Sequence, residues 1–271
     1  MLFDEISVSK SLLLIIYINL FLIIIMKICI PSFNRYETIQ DKSIKVLLNA
    51  GYKPNEIDIF VANEEQLIKY REKIDKDISI IVAIKGLKEV REFIFNYYDE
   101  GEKLLCLDDD IEVVRELYKN EDGKSRLRPI QNLKEIVDKG FDLCEKHSLK
   151  LWGLYPTPNN AFFMDSQKEI TYDYKFIIGN FFGCINCKDM NKLLVPDMDD
   201  YERSIRSYLL YGGSIRFNHI APKTKFKKNT GGAQDSDREN RLSQSKEIML
   251  NTYPELLFMK KRKTDTNPIL K

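Results

Sequence analysis

The chain of 271 residues has only two histidines, His147 and His219, one tryptophan, and no excess of either charge: 42 Lys and Arg stand against 41 Asp and Glu. Two imidazoles exclude histidine-rich metal centres and most chemistry that needs a pair of them, while hard cations held by oxygen stay open. A net charge of +1 excludes both a globally basic nucleic-acid coat and an acidic disordered tail, so a polyanion must be met by a local patch. The cysteines, Cys29, Cys106, Cys144, Cys184 and Cys187, are odd in number and widely scattered, which argues against a disulfide framework and for a reducing compartment such as the cytoplasm. Internal repeats and domain-boundary linkers are also lacking.

A full membrane span is missing as well. Residues 12–25, LLLIIYINLFLIII, are apolar apart from Tyr17 and Asn19 but fall short of the roughly 20 residues that cross a bilayer. They run without a linker or a small-residue cleavage site into the first strand-like segment. The reading adopted is that Met26 is the working start and residues 1–25 are an extraneous leader. A membrane anchor and an additional packed helix are the alternatives.

From Met26 the chain alternates short β-branched runs with longer periodic stretches, the pattern of strands and helices laid on a mostly parallel sheet in an α/β fold. Strands are expected at KICIPSF from Lys27, at residues 57–62, 78–84 and 103–107, and helices at 38–50, 64–73 and 87–98. Beyond these lie a polar loop over 120–129, an amphipathic helix over 133–147, strands at 149–155 and 172–186, a helix over 199–211 and a strand over 214–220. One domain over 26–258 followed by a basic tail accounts for this order, the first half binding a nucleotide and the second half a partner substrate.

Chemistry concentrates in Asp108-Asp109-Asp110, which directly follows the apolar strand LLCL. Adjacent carboxylates repel unless a cation or solvent relieves them. On extended backbone Asp108 and Asp110 point to one side and Asp109 to the other, so the outer pair suits a divalent cation, Mn²⁺ or Mg²⁺. Strand ends of open α/β sheets are where ligands bind. A second acidic run, PDMDDYER at 196–203, opens a helix; there Asp200, then Asp199, then Glu202 are candidates for a general base, against the plainer role of helix capping.

The D-x-D arrangement resembles that of nucleotide-sugar glycosyltransferases of the GT-A fold. Read from Met26, the succession IPSFNRYETI, IFVANEEQLIKY, LCLDDDI, IIGNFFG, DDYERSIRSYLLYGGSIRFN and KFKKNTGGAQ resembles the TET/JBP-associated glycosyltransferase family, whose relatives include the base J glucosyltransferase. That resemblance implies inverting transfer of a hexose, usually glucose from UDP-glucose, to an alcohol oxygen, with a hydroxymethylated pyrimidine in DNA as acceptor. A nucleoid or nuclear location follows from such an acceptor, and a glycan, lipid or protein hydroxyl is the rival that membrane anchoring would favour. A non-catalytic binding module on the same fold is the reading from outside enzymology.

The resemblance also distributes roles. Pro31, Ser32 and Arg35 of the first loop, Asn63 and Lys85 after the next two strands, and Asp108 and Asp109 are assigned to the donor, a hydroxyl and a guanidinium being apt for uridine and diphosphate. Asp108 and Asp110 take the metal, with His219 as a third ligand. Lys228, Gly231, Gly232 and Arg238 belong to a basic flap, KTKFKKNTGG and its sequel, which closes on the diphosphate or touches DNA phosphates. Cys184 and Cys187 have C-x-x-C spacing without a second pair and read as core thiols, while Trp152, Tyr155, Phe162 and Phe163 are stacking candidates for a sugar or a flipped base.

Overall fold

The computed structural model describes residues 26–159, 168–224, 237–259 and 268–270. The apolar run at 12–25, Phe162 and Phe163, the flap residues Lys228, Gly231 and Gly232, and most of the basic tail lie outside them.

The first half forms as the periodicity predicts. Strands β1 (Lys27–Pro31), β2 (Ile57–Val61), β3 (Ser79–Val82) and β4 (Lys103–Leu107) alternate with three helical stretches. The first, α1, passes from Tyr36–Ile39 through a π turn at Gln40–Ile44 into Lys45–Asn49; α2 is Glu64–Arg71 and α3 is Leu87–Tyr97. Gly51, at φ +90°, ends the first stretch in the left-handed conformation that glycine adopts without steric penalty. All four strands are parallel, in the order β3-β2-β1-β4.

In the second half α4 (Leu133–Lys146), β7 (Leu151–Leu154), α6 (Asp199–Tyr211) and β10 (Ile215–Phe217) follow the expected pattern, with a short α5 (Lys188–Asn191) before α6. Three expectations are corrected. The segment 120–129 is one side of a hairpin, β5 (Val113–Lys119) with β6 (Ser125–Pro129), because only Asn120–Lys124 forms the turn. The segment 172–186 is not one strand: β8 (Ile170–Thr171) precedes it, an irregular crossing follows, and only Phe181–Ile185 forms a strand, β9. The segment 214–220 breaks at Asn218 and His219 into β10 and β11 (Ile220–Lys223), and β11 joins the hairpin. A further helix, α7 (Arg238–Thr252), precedes a small pair, β12 (Leu257–Met259) with β13 (Pro268–Leu270).

The main sheet runs β3-β2-β1-β4-β9-β7-β10-β8, with β9 and β8 reversed. Its strands alternate between two cores, as a pleat requires. Ile28, Ile30, Leu105 and Leu107 face α1, α2 and α4, whereas Cys29, Leu104, Cys106 and Phe182 face α3 and α5. The carboxyl ends of β1, β4, β7 and β10 therefore share one edge. No helix among the described residues is long and apolar enough to cross a membrane.

Trp152 is fully buried rather than displayed for stacking. Its indole fills a slot cut by two glycines: a Cβ at Gly140 would lie 2.5 Å from the ring, and one at Gly183 would lie 2.1 Å from Nε1. Phe141 and Phe217 pack edge-on to it at 5.6 and 5.9 Å. Gly140→Ala should consequently destabilise the protein by about 1–3 kcal/mol through overpacking, read as a lower urea midpoint at unchanged slope. An unchanged midpoint would show that the slot has room to spare.

Candidate active site

The loop after β1, the acidic triplet after β4 and the start of α6 meet at the strand-end edge. Each is fixed by side chains that sequence reasoning did not single out. The triplet's backbone is gripped on both sides: the Asp108 N–H donates to the Asn180 carbonyl at 3.0 Å, while Ser43 Oγ donates to the Asp108 carbonyl at 2.6 Å and accepts the Ile111 N–H at 3.0 Å. Ser43 is fully buried inside the π turn of α1. Such turns re-aim side chains and recur at functional sites.

The triplet lies in a turn just past β4, where extended backbone was expected, and its carboxylates differ in their partners. Asp109 points inward, accepting from Ser32 Oγ at 2.6 Å and Arg35 Nη1 at 2.7 Å. Ser32 also shares a 2.6 Å hydrogen bond with Tyr70 Oη. Ser32 and Asp109, both assigned above to the donor, are buried, and their polar atoms brace the first loop against the triplet. Gln66 completes the brace, its Oε1 accepting the Asn34 N–H at 2.9 Å and its Nε2 donating to Asn34 Oδ1 at 2.7 Å. Asn34 holds φ +56°, a conformation that asparagine tolerates better than most residues.

Arg35 lies over the triplet, 3.8 Å from Asp110 as well as on Asp109. Pro31 ends β1 beneath it. Asn63 caps α2 by accepting the Gln66 N–H at 3.0 Å, and Lys85 stands over the Phe33 ring at 5.2 Å, so both reach the same edge but already have local partners.

Asp108 faces the cleft with 41% of its side chain open and is paired with Arg91 at 2.8 Å. Enclosure at the strand end, then the crowding of Asp110, Asp109 and Asp199, pushes its carboxyl up to about 7 against the pull of Arg91. Arg91 is 1% exposed. Its Nη2 also donates to the Gly179 carbonyl at 3.0 Å, and its Nε lies 3.8 Å from Asp199. One buried guanidinium thus ties the two acidic clusters together. The signal was present in α3, where Arg91 falls on the apolar stripe of Val90, Ile94 and Phe95.

Within the second cluster the acids part company. Asp199 is clamped by Arg203 at 2.9 Å and by Arg91, and these cations outweigh burial to hold its carboxyl below the usual range. Glu202 is fully buried, with its oxygens accepting the N–H groups of Leu194 and Val195 at 2.8–3.3 Å. These bonds tie Glu202, the third candidate for the base, to the loop before α6. Asp200 has no cation in hydrogen-bond contact among the described residues. Burial and the Asp199 charge push it up to about 7, opposed by the backbone N–H groups of Tyr201 and Gly179. Met198, before the helix, sits at φ +70°, strain that the surrounding bonds must hold.

His219 is not brought to the triplet. Its Nδ1 lies 3.2 Å from the Glu169 carbonyl, and its own carbonyl accepts the Leu117 N–H at 2.7 Å. No group of three or more His, Cys, Asp or Glu among the described residues is placed to hold a metal ion. Arg238 begins α7, one turn before Arg241, whose Nε binds the buried Asp197 at 3.1 Å. Cys184 and Cys187 are buried free thiols, as expected.

No family model matches the sequence, and no curated protein is significantly similar to it. Among solved structures the chain is similar to the mannosyltransferase PcManGT from Pyrobaculum calidifontis, in complex with GDP-Man and Mn²⁺, with a TM-score of 0.53, 11% identity and coverage of 83% of this chain. The match spans 64% of that enzyme's length. Glucosyl-3-phosphoglycerate synthase from Mycobacterium tuberculosis, in complex with Mn²⁺, UDP and phosphoglyceric acid, matches at a TM-score of 0.46 and 8% identity, over 91% of this chain and 86% of that one. Neither match singles out the TET/JBP-associated branch. The fold is GT-A, an α/β architecture with a mostly parallel central sheet flanked by helices.

Two outcomes follow from these pairings. Arg91→Ala leaves Asp108 and Asp199 facing each other without their shared cation and should destabilise the protein by about 3–5 kcal/mol, measured by urea unfolding. Asp200→Asn should do the opposite. A carboxyl raised to about 7 in the fold, against an ordinary value when unfolded, subtracts stability as pH climbs between the two, so the variant should gain a few degrees in Tm at pH 8 and little at pH 4.

Proposed function

We propose that the chain is a metal-dependent, inverting glycosyltransferase that moves a hexose, glucose from UDP-glucose being the first choice, to an alcohol oxygen. The observation that carries this reading is the junction made by Arg91, which ties Asp108 at the end of β4 to Asp199 at the start of α6, the neighbour of Asp200. The GT-A fold, shared with a mannosyltransferase in complex with GDP-Man and Mn²⁺, supports it.

The residues present fit a cation. Asp108 and Asp110 crowd at the cleft edge with Asp109 turned inward, and the upward push on Asp108 is the strain that a divalent ion relieves. Ions of the Mg²⁺ type are commonly held by one or two carboxylates together with substrate phosphates, so two protein ligands suffice. When bound, the ion neutralises charge on the departing diphosphate. Arg35, steadied by Asp109, adds a guanidinium at the same edge, and Lys228, Gly231, Gly232 and Arg238 are proposed to close over the diphosphate from the flap.

Asp200 is proposed as the base. An acceptor hydroxyl gives its proton to the Asp200 carboxylate as the oxygen attacks the anomeric carbon; the new C–O bond forms while the bond to the diphosphate breaks and UDP leaves with the electron pair. A pKa near the working pH suits that task, and Asp199, held ionised by Arg203 and Arg91, keeps it raised. The acceptor is proposed to be a hydroxymethylated pyrimidine in DNA, a reading that rests on the TET/JBP resemblance and on the basic segment KFKK at 225–228.

The test is UDP release from a panel of UDP-sugars with Mn²⁺ or chelator, with and without hydroxymethyluracil-containing DNA. Metal-dependent release stimulated by that DNA is expected. Release indifferent to DNA would overturn the acceptor, and no release from any donor would overturn the transferase. Asp110→Asn should abolish the metal dependence. Asp200→Asn should keep donor binding while slowing transfer by about two orders of magnitude or more, and should flatten the rise of rate with pH expected of the wild type around 7.

A further inference from the structure

A cavity of about 380 Å³ opens beside the start of α6, lined by Tyr174, Lys175, Phe176, Tyr201 and Arg216 and closed on one side by β13. None of these residues takes part in the donor chemistry described above. The crossing segment that lines it runs on to the active site. Ile177 donates its N–H to Ser204 Oγ at 2.9 Å, the Gly179 N–H bonds Asp200, and the Gly179 and Asn180 carbonyls accept from Arg91 and Asp108. Tyr201 directly follows Asp200 and packs its ring 4.5 Å from that of Phe176. Arg216 comes from β10, parallel to β7, and its guanidinium lies 5.2 Å over Tyr155, the residue that follows β7 at the catalytic edge.

Arg216 differs from the other enclosed arginines of this region. Arg35, Arg91, Arg203 and Arg241 each hold an aspartate. Among the described residues Arg216 makes hydrogen bonds only to neutral oxygens, to Asn218 Oδ1 at 2.8 Å and, at a long 3.4 Å, to the Phe176 carbonyl. Asp173, the carboxylate whose field reaches it, is paired with Lys175 at 3.3 Å. A largely enclosed guanidinium that lacks a carboxylate partner is a ready site for an anion, which it can engage with two parallel N–H donors. Aromatic walls beside it offer stacking faces to a ring.

We infer that this cavity is the acceptor subsite and that it selects a hydroxylated ring compound bearing a phosphate or carboxylate, with the ring against Phe176 and Tyr201 and the anion on Arg216. The inference rests on the transferase reading, because Asp200, the residue before Tyr201 of the cavity's lining, is the proposed base of that reaction. It narrows the acceptor by charge. A nucleotide and a sugar phosphate share the required chemistry and are separated by the probes.

The experiment is calorimetric titration of the full chain with thymidine 5′-phosphate, thymidine, glucose 6-phosphate and glucose, with UDP titrated in parallel. At least one phosphate is expected to bind about tenfold or more tightly than its neutral counterpart, and the nucleotide or the sugar phosphate identifies the source of the ring. Arg216→Gln should remove that preference, and Arg216→Lys, which keeps the charge but not the fork, should retain part of it. If the glutamine variant fails to fold, the lysine variant and the phosphate-to-neutral ratio of the wild type decide. Equal binding of charged and neutral probes, no probe binding in a chain that binds UDP, or an undiminished preference in Arg216→Gln would overturn the subsite. Probe binding without UDP binding would keep the anion site and overturn the transferase on which its role depends.

Discussion

A single guanidinium holds the cleft together. Arg91 leaves α3 among Val90, Ile94 and Phe95, crosses a core face it shares with Phe182, and ends between Asp108 on one side and Asp199 on the other. Burying a charge is unfavourable unless it is paired, and here one cation answers two carboxylates that would otherwise repel. Strand end, crossing segment and helix start are consequently set relative to one another by one side chain. The remaining Arg91 nitrogens, Nε and Nη1, have no hydrogen-bond partner among the described residues, which marks the junction as electrostatic more than geometric.

Around this point the acids are sorted by their partners. Asp109, Asp197, Asp199 and Glu202 are buried and bonded, and each fixes a loop or an arginine. Asp108, Asp110 and Asp200 keep faces toward the cleft, and Asp108 and Asp200 have their pKa raised. Four neighbouring acids serving as scaffold let the others stay poised. The unfavourable features are concentrated in the same place: left-handed φ at Asn34 and Met198, and a π turn that delivers Ser43. Rigidity comes from elsewhere, above all from Trp152 locked between Gly140 and Gly183.

Much of this was legible in the sequence. The parallel strands and their helices followed from periodicity, because alternation of Ile28, Cys29 and Ile30, or of Leu104 to Leu107, between two cores leaves a clear pattern. Reading failed where a residue's partner is distant in the chain. Arg91 was not singled out, because its partners Asp108, Gly179 and Asp199 lie 17, 88 and 108 residues further along the chain. The β5–β6 hairpin was missed because its strand residues, SRLRP among them, are polar enough to resemble a loop.

The sequence by itself determined the α/β architecture, the direction of the first four strands and the presence of two acidic clusters, all of which are local patterns of hydrophobicity and charge. Only the tertiary structure decided that those clusters meet, that Arg91 and not His219 stands between or beside them, and which acid is left without a cation. The reason is physical. Periodicity reports on the face a residue presents, whereas the ionisation and role of a buried charge are set by neighbours that the fold brings from other strands and helices.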